Sequence, residues 1–376
     1  MTPQDSWTTR LKDYIAKVLP WAHGHQLKGI VTFVNAIIDK QTGTQAELAR
    51  GLGNQEAALK RLSRLLHNPR LAPHRLTDAV LAQALRQLPP RGKVRLALDW
   101  TIEGSQHLLV VSLVTGGRAM PIYWRAYNAT VLKGRMRRYE MAVLRRALTR
   151  VQQVIGHRRL IVTADRGFAD VALVDVLSEL GVEFIIRVKG STKVWCQGHW
   201  RNLHTLGFAG NARQRNLGHL PYCESAPHRL WVTLSRARDR TGQWEIWYLS
   251  SNCPRRAHAT AAEYARRFGC EQGFRDAKWE LGFAQARIKA IHAWSRLFAL
   301  FALALLVVVS LAVKLLLPNG SNAVALLRRV ASRRQGRWDL SLVSAMVRLL
   351  QEDKSLFAHL SSCVQFNLDA RLVYVS

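Results

Sequence analysis

The longest apolar run in the chain extends from Leu297 to Val313, and Lys314 separates it from Leu315–Leu317. Contact of so much apolar surface with water is unfavourable, so the run must be buried in a protein core or in a membrane. A membrane-spanning helix needs about 20 apolar residues, whereas this run is slightly shorter, occurs once and is flanked by basic sequence. We therefore expect a buried core helix, with a membrane helix as the alternative.

The charge of the chain is strongly positive. Its 376 residues include 55 lysines and arginines against 25 acidic residues, for a formal net charge of +30. The 48% hydrophobic content is ample for a core, and the length predicts two or three structural units. Because the basic residues are spread along the whole chain, DNA or RNA is favoured as a partner over a membrane surface. A ribosomal or merely basic protein is the alternative.

The cysteines and the N-terminus bear on the cellular compartment. The five cysteines are Cys196, Cys223, Cys253, Cys270 and Cys363. They are widely spaced and include no CxxC pair, so they predict neither a disulfide framework nor a zinc ribbon. The segment Met1–Lys17 has no apolar stretch after a basic start and does not resemble a secretion signal. We expect a cytoplasmic protein.

Residues 1–88 have the pattern of a helical domain. Apolar residues recur at helical spacing at Trp7, Leu11, Ile15 and Leu19. Further on, Thr44–Ala49, a glycine-containing turn and a basic segment with Lys60, Arg61 and Arg64 have the outline of a helix-turn-helix. An ordinary helical hairpin has the same outline. Together with the charge, the outline predicts a DNA-binding domain over residues 1–88.

A change to strand patterns follows Pro89–Gly92. The expected order is three strands (94–98, 108–114 and 121–127), a helix (136–154), a strand (160–163), a helix (169–180) and a strand (183–188). This order is that of a ribonuclease-H-like α/β core, whose first part we place at residues 89–188.

The rest of the chain divides into three regions. Residues 189–250 are rich in tryptophan, arginine and glycine-punctuated short strands, and we interpret them as a β insertion. A long helix is expected at 259–281, within a second part of the core at residues 251–318. Residues 319–376 are expected to form a C-terminal helical region. The predicted fold class is therefore α/β, with helical regions at both ends.

Two aspartates follow predicted strands. Asp99 comes after the strand 94–98, and Asp165 follows the strand 160–163. Open α/β sheets place their active sites at the carboxyl ends of parallel strands, where both carboxylates are expected. Either aspartate taken alone fits equally well as a helix cap or a turn residue.

A third group lies on the helix predicted at 259–281. At about 100° per residue, Tyr264, Arg267, Glu271 and Lys278 share one face within a stripe of roughly 60°. Taken alone, this face has the composition of a solvated salt-bridge surface, because Arg267 and Glu271 form an i,i+4 pair.

Taken together, the three sites resemble the DDE transposases of bacterial insertion sequences. The branch in question carries a Tyr-Arg-Glu-Lys signature, matched here from Tyr264 to Lys278. It is preceded, in the required order, by Leu98-Asp99-Trp100-Thr101 and by Thr163-Ala164-Asp165-Arg166-Gly167-Phe168. The resemblance covers roughly residues 96–317. Gly167 departs from it, since some relatives have a glutamate there, but that glutamate is not one of the family's catalytic acids.

The resemblance implies a catalytic triad of Asp99, Asp165 and Glu271. These acids would hold two Mg²⁺ or Mn²⁺ ions, with Asp99 bridging both, because hard divalent cations prefer carboxylate oxygens. Tyr264, Arg267 and Lys278 would bind DNA phosphates, as would Arg166. In relatives a tryptophan of the insertion stacks on a flipped base, a role open here to Trp244 or Trp247; burial in the core is the alternative for both.

The implied activity is cut-and-paste transposition through a DNA hairpin. The partners would be double-stranded DNA at the transposon's inverted repeats, target DNA and a second copy of the chain, in a nucleoid-associated complex without a membrane. An apolar helical stripe is the expected contact between subunits, with intramolecular core as the alternative: Leu342, Val343, Met346, Val347, Leu349 and Leu350. A ribonuclease-H-like nuclease that cuts without joining and a decayed, non-catalytic DNA-binding protein are the alternatives.

Overall fold

A computed structural model describes most of the chain. The described residues are 3–115, 118–156, 159–208, 210–225, 228–238, 241–269, 276–317, 320–334 and 337–360. Glu271 and Cys363 therefore lie outside the described residues, as does Cys270.

The N-terminal region is helical. Its helices are α1 (Pro3–Val18), α2 (Gly24–Lys40), α3 (Gln45–Ala49), α4 (Gln55–His67) and α5 (Pro73–Arg86). The start of α4 is set by Asn54, whose side chain accepts a hydrogen bond from the backbone N–H of Ala57. Between α3 and α4, Gly51 and Gly53 have φ values of 77° and 79°, a backbone region that glycine adopts without strain. The sequence thus builds a helix, a glycine turn and a second helix here.

The next elements form the first half of a sheet. They are β1 (Val94–Glu103), β2 (Gln106–Thr115), β3 (Arg118–Asn128), α6 (Ala129–Leu132), α7 (Met136–Ile155), β4 (Leu160–Ala164), α8 (Val171–Glu179) and β5 (Glu183–Val188). β1, β2 and β3 pair antiparallel, whereas β4 lies parallel to both β1 and β5. The predicted order of strands and helices over residues 94–188 is found.

β1 is longer than predicted. The strand was expected to end before Asp99, but it continues to Glu103 because β2 pairs with it up to the pair Glu103–Gln106. Its parallel pairing with β4 ends earlier, at Ala97 and Thr163. Asp99 therefore lies inside β1, just beyond the end of the parallel ladder, and not at the end of the strand.

The strands of the predicted insertion extend the same sheet. They are β6 (Lys193–Cys196), β7 (His199–Asn202), β8 (Gln214–Tyr222), β9 (His228–Arg238) and β10 (Trp244–Ser251). β10 pairs antiparallel with β5, which gives a ten-stranded sheet in the order β3-β2-β1-β4-β5-β10-β9-β8-β6-β7. The sheet is mixed and mainly antiparallel. Residues 189–250 thus add strands to the core sheet and do not form a layer of their own.

The helix expected at 259–281 is not regular. An α-helix, α9 (Ala257–Ala265), is followed by a 3₁₀ turn (Arg266–Phe268), a π-helical turn (Asp276–Glu280) and another 3₁₀ turn (Phe283–Gln285). The prediction of one α-helix is wrong for these described parts, because 3₁₀ and π turns rotate successive side chains by other angles. A face calculated at a constant 100° therefore does not extend from Tyr264 to Lys278.

The remaining helices complete the core. They are α10 (Ile291–Leu315), α11 (Ser321–Val330) and α12 (Leu342–Glu352), followed by a 3₁₀ segment (Lys354–His359). A short hairpin, β11 (Arg333–Arg334) and β12 (Arg337–Trp338), lies between α11 and α12. α10 contains the apolar run and packs against α2, α4, α5, α12 and β3. Within the described residues, α10 alone is long and apolar enough to cross a membrane, but 94% of its most apolar window is buried inside the protein. The expectation of a core helix is confirmed.

α12 carries the apolar stripe that the sequence assigned to a subunit interface. All six of its side chains are at most 1% exposed within the single chain, because α12 packs against α10 and α2. The interface prediction for this stripe is wrong: the side chains are intramolecular core.

Candidate active site

The two aspartates are brought together by strand register. β1 and β4 pair in parallel with Ala97 opposite Thr163. Asp99 and Asp165 each lie two residues beyond this pair, so their backbones leave the ladder at the same level. Because side chains alternate along a strand, Asp99 lies on the same face of β1 as Ala97, and Asp165 follows the end of β4 near enough for its charge to act on Asp99.

The electrostatics of Asp99 agree with this placement. Burial raises the pKa of its carboxyl to about 6, the positive charge of Arg267 acts against that rise, and the neighbouring Asp165 adds to it. A hydrogen bond of 2.9 Å from the backbone N–H of Trp100 and the charge of Lys278 also lower this pKa. Asp99, Asp165, Arg267 and Lys278 therefore form one electrostatic group.

Asp165 opens a tight turn. Its Oδ1 accepts a hydrogen bond of 2.9 Å from the backbone N–H of Gly167. A Cβ at position 167 would lie 3.0 Å from that same oxygen, a closer contact than nearly all real Cβ atoms make. Gly167, the departure from the family pattern, thus leaves room for the Asp165 carboxylate. Arg166 between them is exposed.

Tyr264 and Arg267 belong to an aromatic cluster. The ring of Tyr264 is fully buried and lies edge-on to Trp247, with ring centroids 5.2 Å apart. Arg267 is 7% exposed and its guanidinium lies 5.6 Å from the centroid of Phe268. Burial of both side chains differs from the open phosphate-binding face that the sequence predicted, because α9 and the turn after it pack against the strands of the insertion.

Lys278 remains partly accessible. Its Nζ forms an ion pair of 2.6 Å with Glu103 at the end of β1, and the lysine side chain is 22% exposed. Two residues earlier, Asp276 forms a buried ion pair with Arg118 at the start of β3. These two pairs fasten the π-helical turn to β1 and β3.

The two insertion tryptophans have different environments. Trp247 is 7% exposed, stacks on Phe268 with centroids 5.4 Å apart and donates to Glu245 over 2.6 Å. It is a core residue, and the base-stacking expectation does not fit its position. Trp244 is 56% exposed, with Arg238 lying 4.9 Å from its ring centroid.

The donor set can be judged for a divalent cation. Asp99 and Asp165 supply two carboxylates, the ligand type that Mg²⁺ and Mn²⁺ favour, and burial raises the pKa of Asp99, with a smaller contribution from the charge of Asp165. In the part of the chain that is described, which excludes Glu271, no group of three or more His, Cys, Asp and Glu side chains could hold a metal ion. The two aspartates fit as part of a site that needs a further ligand.

Sequence reasoning missed Glu140. This glutamate on α7 is 2% exposed and accepts hydrogen bonds from Trp100 and Arg137. The i,i+3 spacing of Arg137 and Glu140 was visible as an ion-pair signal. The partner across the fold, Trp100, depends on the tertiary packing of α7 against the sheet and leaves no trace in the local sequence.

Comparison with known families supports a transposase. Residues 130–307 match the family model described as a transposase DDE domain. The matched segment includes Asp165, Tyr264, Glu271 and Lys278 but begins after Asp99. No curated protein matches the chain. The match supports a DDE transposase, a class of metal-dependent enzymes that act on DNA.

Proposed function

We propose that this chain catalyses cut-and-paste transposition of a bacterial insertion sequence, as a DDE transposase of the Tyr-Arg-Glu-Lys branch. The observation that carries the proposal is the register of β1 and β4, which aligns Asp99 with Asp165 beside Arg267 and Lys278. The match of residues 130–307 to the transposase DDE domain supports the coarser part of this proposal, that the chain is a DDE transposase.

A ribonuclease-H-like core is part of the proposal. Three antiparallel strands, a helix, a parallel strand, a helix and a further parallel strand follow one another from β1 to β5. This order supports such a core, with Asp99 and Asp165 just beyond the end of the parallel ladder between β1 and β4. The strands from β6 to β10 would then be the insertion that separates the second acid from the third.

In the proposed site, Asp99, Asp165 and Glu271 hold two Mg²⁺ or Mn²⁺ ions. Such ions, when bound, lower the pKa of water and stabilise the leaving oxygen of a phosphodiester. The chain's own contribution is to keep the aspartates close in a half-buried place, where Asp99 must lose its proton before it can act as a ligand. Arg267 and Lys278 favour the charged carboxylate and so prepare the site for that loss.

DNA contacts are proposed for exposed basic side chains. Lys278 and Arg166 flank the aspartates, and Trp244 offers an exposed ring for stacking on a base. On α4, the exposed Lys60, Arg61 and Arg64 follow the glycine turn and support a helix-turn-helix contact. The net charge of +30 favours binding of polyanions along much of the surface.

Buried residues of the signature have a different proposed role. Tyr264 and Arg267 pack against Trp247 and Phe268, and so they would fix the direction in which the segment carrying Glu271 leaves α9. Arg267 would also act on Asp99 through its charge. Of the basic residues near the aspartates, we propose direct phosphate binding for Lys278 and Arg166 and not for the buried Arg267.

The reaction course and assembly are also proposals. Hydrolysis at the transposon end, a hairpin on that end and transfer of the 3′-end to target DNA need two ends held together, which favours a homodimer in the synaptic complex. The surface of that dimer excludes the α12 stripe. A nucleoid-associated location follows from the DNA partner.

The test is strand joining. Labelled duplexes from either side of the reading frame, incubated with protein, Mg²⁺ and a target plasmid, should yield a nick, a hairpin on a denaturing gel and a joined product. Glu271→Gln should abolish all three, whereas Glu280→Gln, in the π-helical turn, should leave them. Nicking without joining would indicate a nuclease, and binding without nicking would indicate a decayed protein; either result contradicts the proposal.

A further inference from the structure

We propose that Glu140 and Arg137 form a clamp that positions the two catalytic aspartates, and that Glu140 is a positioning residue for divalent-cation binding. The inference rests on the proposed function, since it takes Asp99 and Asp165 to be metal ligands. Glu140 and Arg137 belong neither to the Tyr-Arg-Glu-Lys signature nor to the two aspartate motifs that carry the resemblance to transposases.

Glu140 lies at the centre of the clamp. Its carboxylate is buried on α7, with one oxygen accepting a hydrogen bond of 2.7 Å from the indole N–H of Trp100 and the other accepting one of 2.7 Å from Arg137. Both oxygens therefore have fixed donors. The charge of Glu140 is matched by the Arg137 guanidinium, so the clamp adds no net negative charge to the site.

One arm of the clamp reaches Asp99. Trp100, whose indole is held by Glu140, uses its backbone N–H to donate a 2.9 Å hydrogen bond to Asp99 Oδ1. The Trp100 ring is further confined by His107 and Tyr127, at centroid distances of 6.2 and 6.3 Å. The orientation of the Asp99 carboxylate is thereby coupled to the position of α7.

The other arm reaches Asp165. Arg137 donates a 2.7 Å hydrogen bond to the carbonyl oxygen of Gly167, and the backbone N–H of Gly167 donates to Asp165 Oδ1 over 2.9 Å. Arg137 also lies 3.4 Å from Asp170, the N-cap of α8. In both arms, the residue that the clamp holds also supplies the backbone donor of an aspartate.

The clamp orients the carboxylates of Asp99 and Asp165. The clamp fixes one oxygen of each aspartate toward a backbone donor and leaves the other carboxylate oxygen available for a cation. Metal ligands need such outer partners, whose removal typically weakens metal binding by about 10- to 100-fold. Loss of Glu140 would release the Trp100 indole and the Arg137 guanidinium together, and both aspartates would lose their fixed orientation.

The experiment measures Mn²⁺ binding to the full-length protein by electron paramagnetic resonance, in the absence of DNA. Glu140→Ala should weaken Mn²⁺ binding by about 10- to 100-fold, and Glu140→Gln should recover part of the loss because its amide oxygen still accepts from Trp100. Trp100→Phe keeps the ring, removes the indole N–H and should weaken binding in the same direction. The control is Glu179→Gln, which breaks the exposed Arg145–Glu179 pair between α7 and α8 and should leave Mn²⁺ affinity unchanged.

The variant Asp99→Asn distinguishes failure of the proposed function from failure of the clamp inference. If Asp99→Asn leaves Mn²⁺ affinity unchanged, the proposed function itself is wrong. If Asp99→Asn abolishes binding while Glu140→Ala and Trp100→Phe bind Mn²⁺ as the wild type does, the clamp is only a structural ion pair and the inference is overturned. Because Trp100→Phe is a mild change, it decides the matter even if Glu140→Ala fails to fold.

Discussion

Asp99 is held in a place that disfavours its charge. Burial raises the pKa of this carboxyl from 3.8 to about 6, so the folded chain holds a proton there that the unfolded chain has already lost. Folding stability therefore falls as pH rises from about 4 to about 6, and the loss is fully present above that range. A residue that weakens the fold at neutral pH and lies beside a second carboxylate is better explained by a ligand than by packing.

Asp99→Asn should therefore stabilise the metal-free protein at pH 7.5. The expected gain in the free energy of unfolding is on the order of 1–3 kcal/mol, and it should disappear at about pH 2.5, below the unfolded-state pKa of 3.8, where the wild-type carboxyl is protonated in both states. Thermal unfolding at both pH values measures it. Mg²⁺ should raise the melting temperature of the wild type only. A variant less stable than the wild type at pH 7.5 would contradict this reading of Asp99.

Lys278 is the signature residue best placed to meet DNA. Lys278→Met should weaken binding of duplex DNA and reduce the slope of log affinity against log salt by about one phosphate contact. Filter binding over a range of salt concentrations measures the slope, and Lys12→Met, an exposed lysine on α1, serves as control for net charge. An unchanged slope would mean that Lys278 serves only its ion pair with Glu103.

At the level of elements, local patterns were predictable and long-range pairings were not. The alternation and the apolar periodicity of residues 94–188 predicted the five strands and the helices α7 and α8, because these periods depend on neighbours in sequence, whereas the short helix α6 was not predicted. The extension of β1 past Asp99 depends on pairing with β2, and the continuation of the sheet into β10 depends on β5; neither is encoded within one segment. The 3₁₀ and π turns after α9 likewise depend on buried pairs such as Arg118–Asp276.

The same distinction applies to the site. The two aspartates were predictable because each follows an apolar run in the sequence, and their proximity follows from the parallel pairing of β1 with β4. The burial of Tyr264 and Trp247 was not predictable, since it results from contact between α9 and the strands of the insertion. The clamp residue Glu140 was missed for the same reason.

A glycine contact joins the N-terminal helices to the segment after the π-helical turn. A Cβ on Gly43 would lie 2.7 Å from the carbonyl oxygen of Gly282 and 3.0 Å from the backbone nitrogen of Ala286. Gly43→Ala should therefore force these backbones apart and lower the free energy of unfolding by about 1–3 kcal/mol. Gly207→Ala, where a Cβ meets nothing within 4 Å, should be nearly neutral. Equal effects in urea unfolding would show that the close approach is not a constraint.

At the level of the whole molecule, the helical regions and the sheet share one core. α10 lies between them: Arg296 donates to the carbonyl oxygens of Leu71 and Leu66, and Ser310 lies 3.0 Å from the Gln87 amide. Residues 1–88, expected as a separate domain, are thus fastened to the helix that supports β3. Movement of the N-terminal helices relative to the aspartates would require these buried contacts to break.

Shared packing predicts a single unfolding transition. Gln87 is fully buried and donates to Tyr14 over 3.2 Å as well as to Ser310, so Gln87→Ala should cost about 1–3 kcal/mol. Circular dichroism and tryptophan fluorescence should report the same lowered midpoint, while the exposed Gln153→Ala should leave it unchanged. Separate transitions for the two probes would mean that residues 1–88 unfold on their own.

If Asp99 and Asp165 form a metal-dependent phosphodiesterase site, nicking of DNA requires both carboxylates and a divalent cation. The substrate is a supercoiled plasmid that carries the reading frame with its flanking DNA, incubated with and without Mg²⁺. We expect the wild type and the surface control Asp175→Asn to nick it only with Mg²⁺, and Asp99→Asn and Asp165→Asn to be slower by about a thousandfold or more while still binding the plasmid. Mg²⁺-dependent nicking at the wild-type rate by either aspartate variant would contradict the claim.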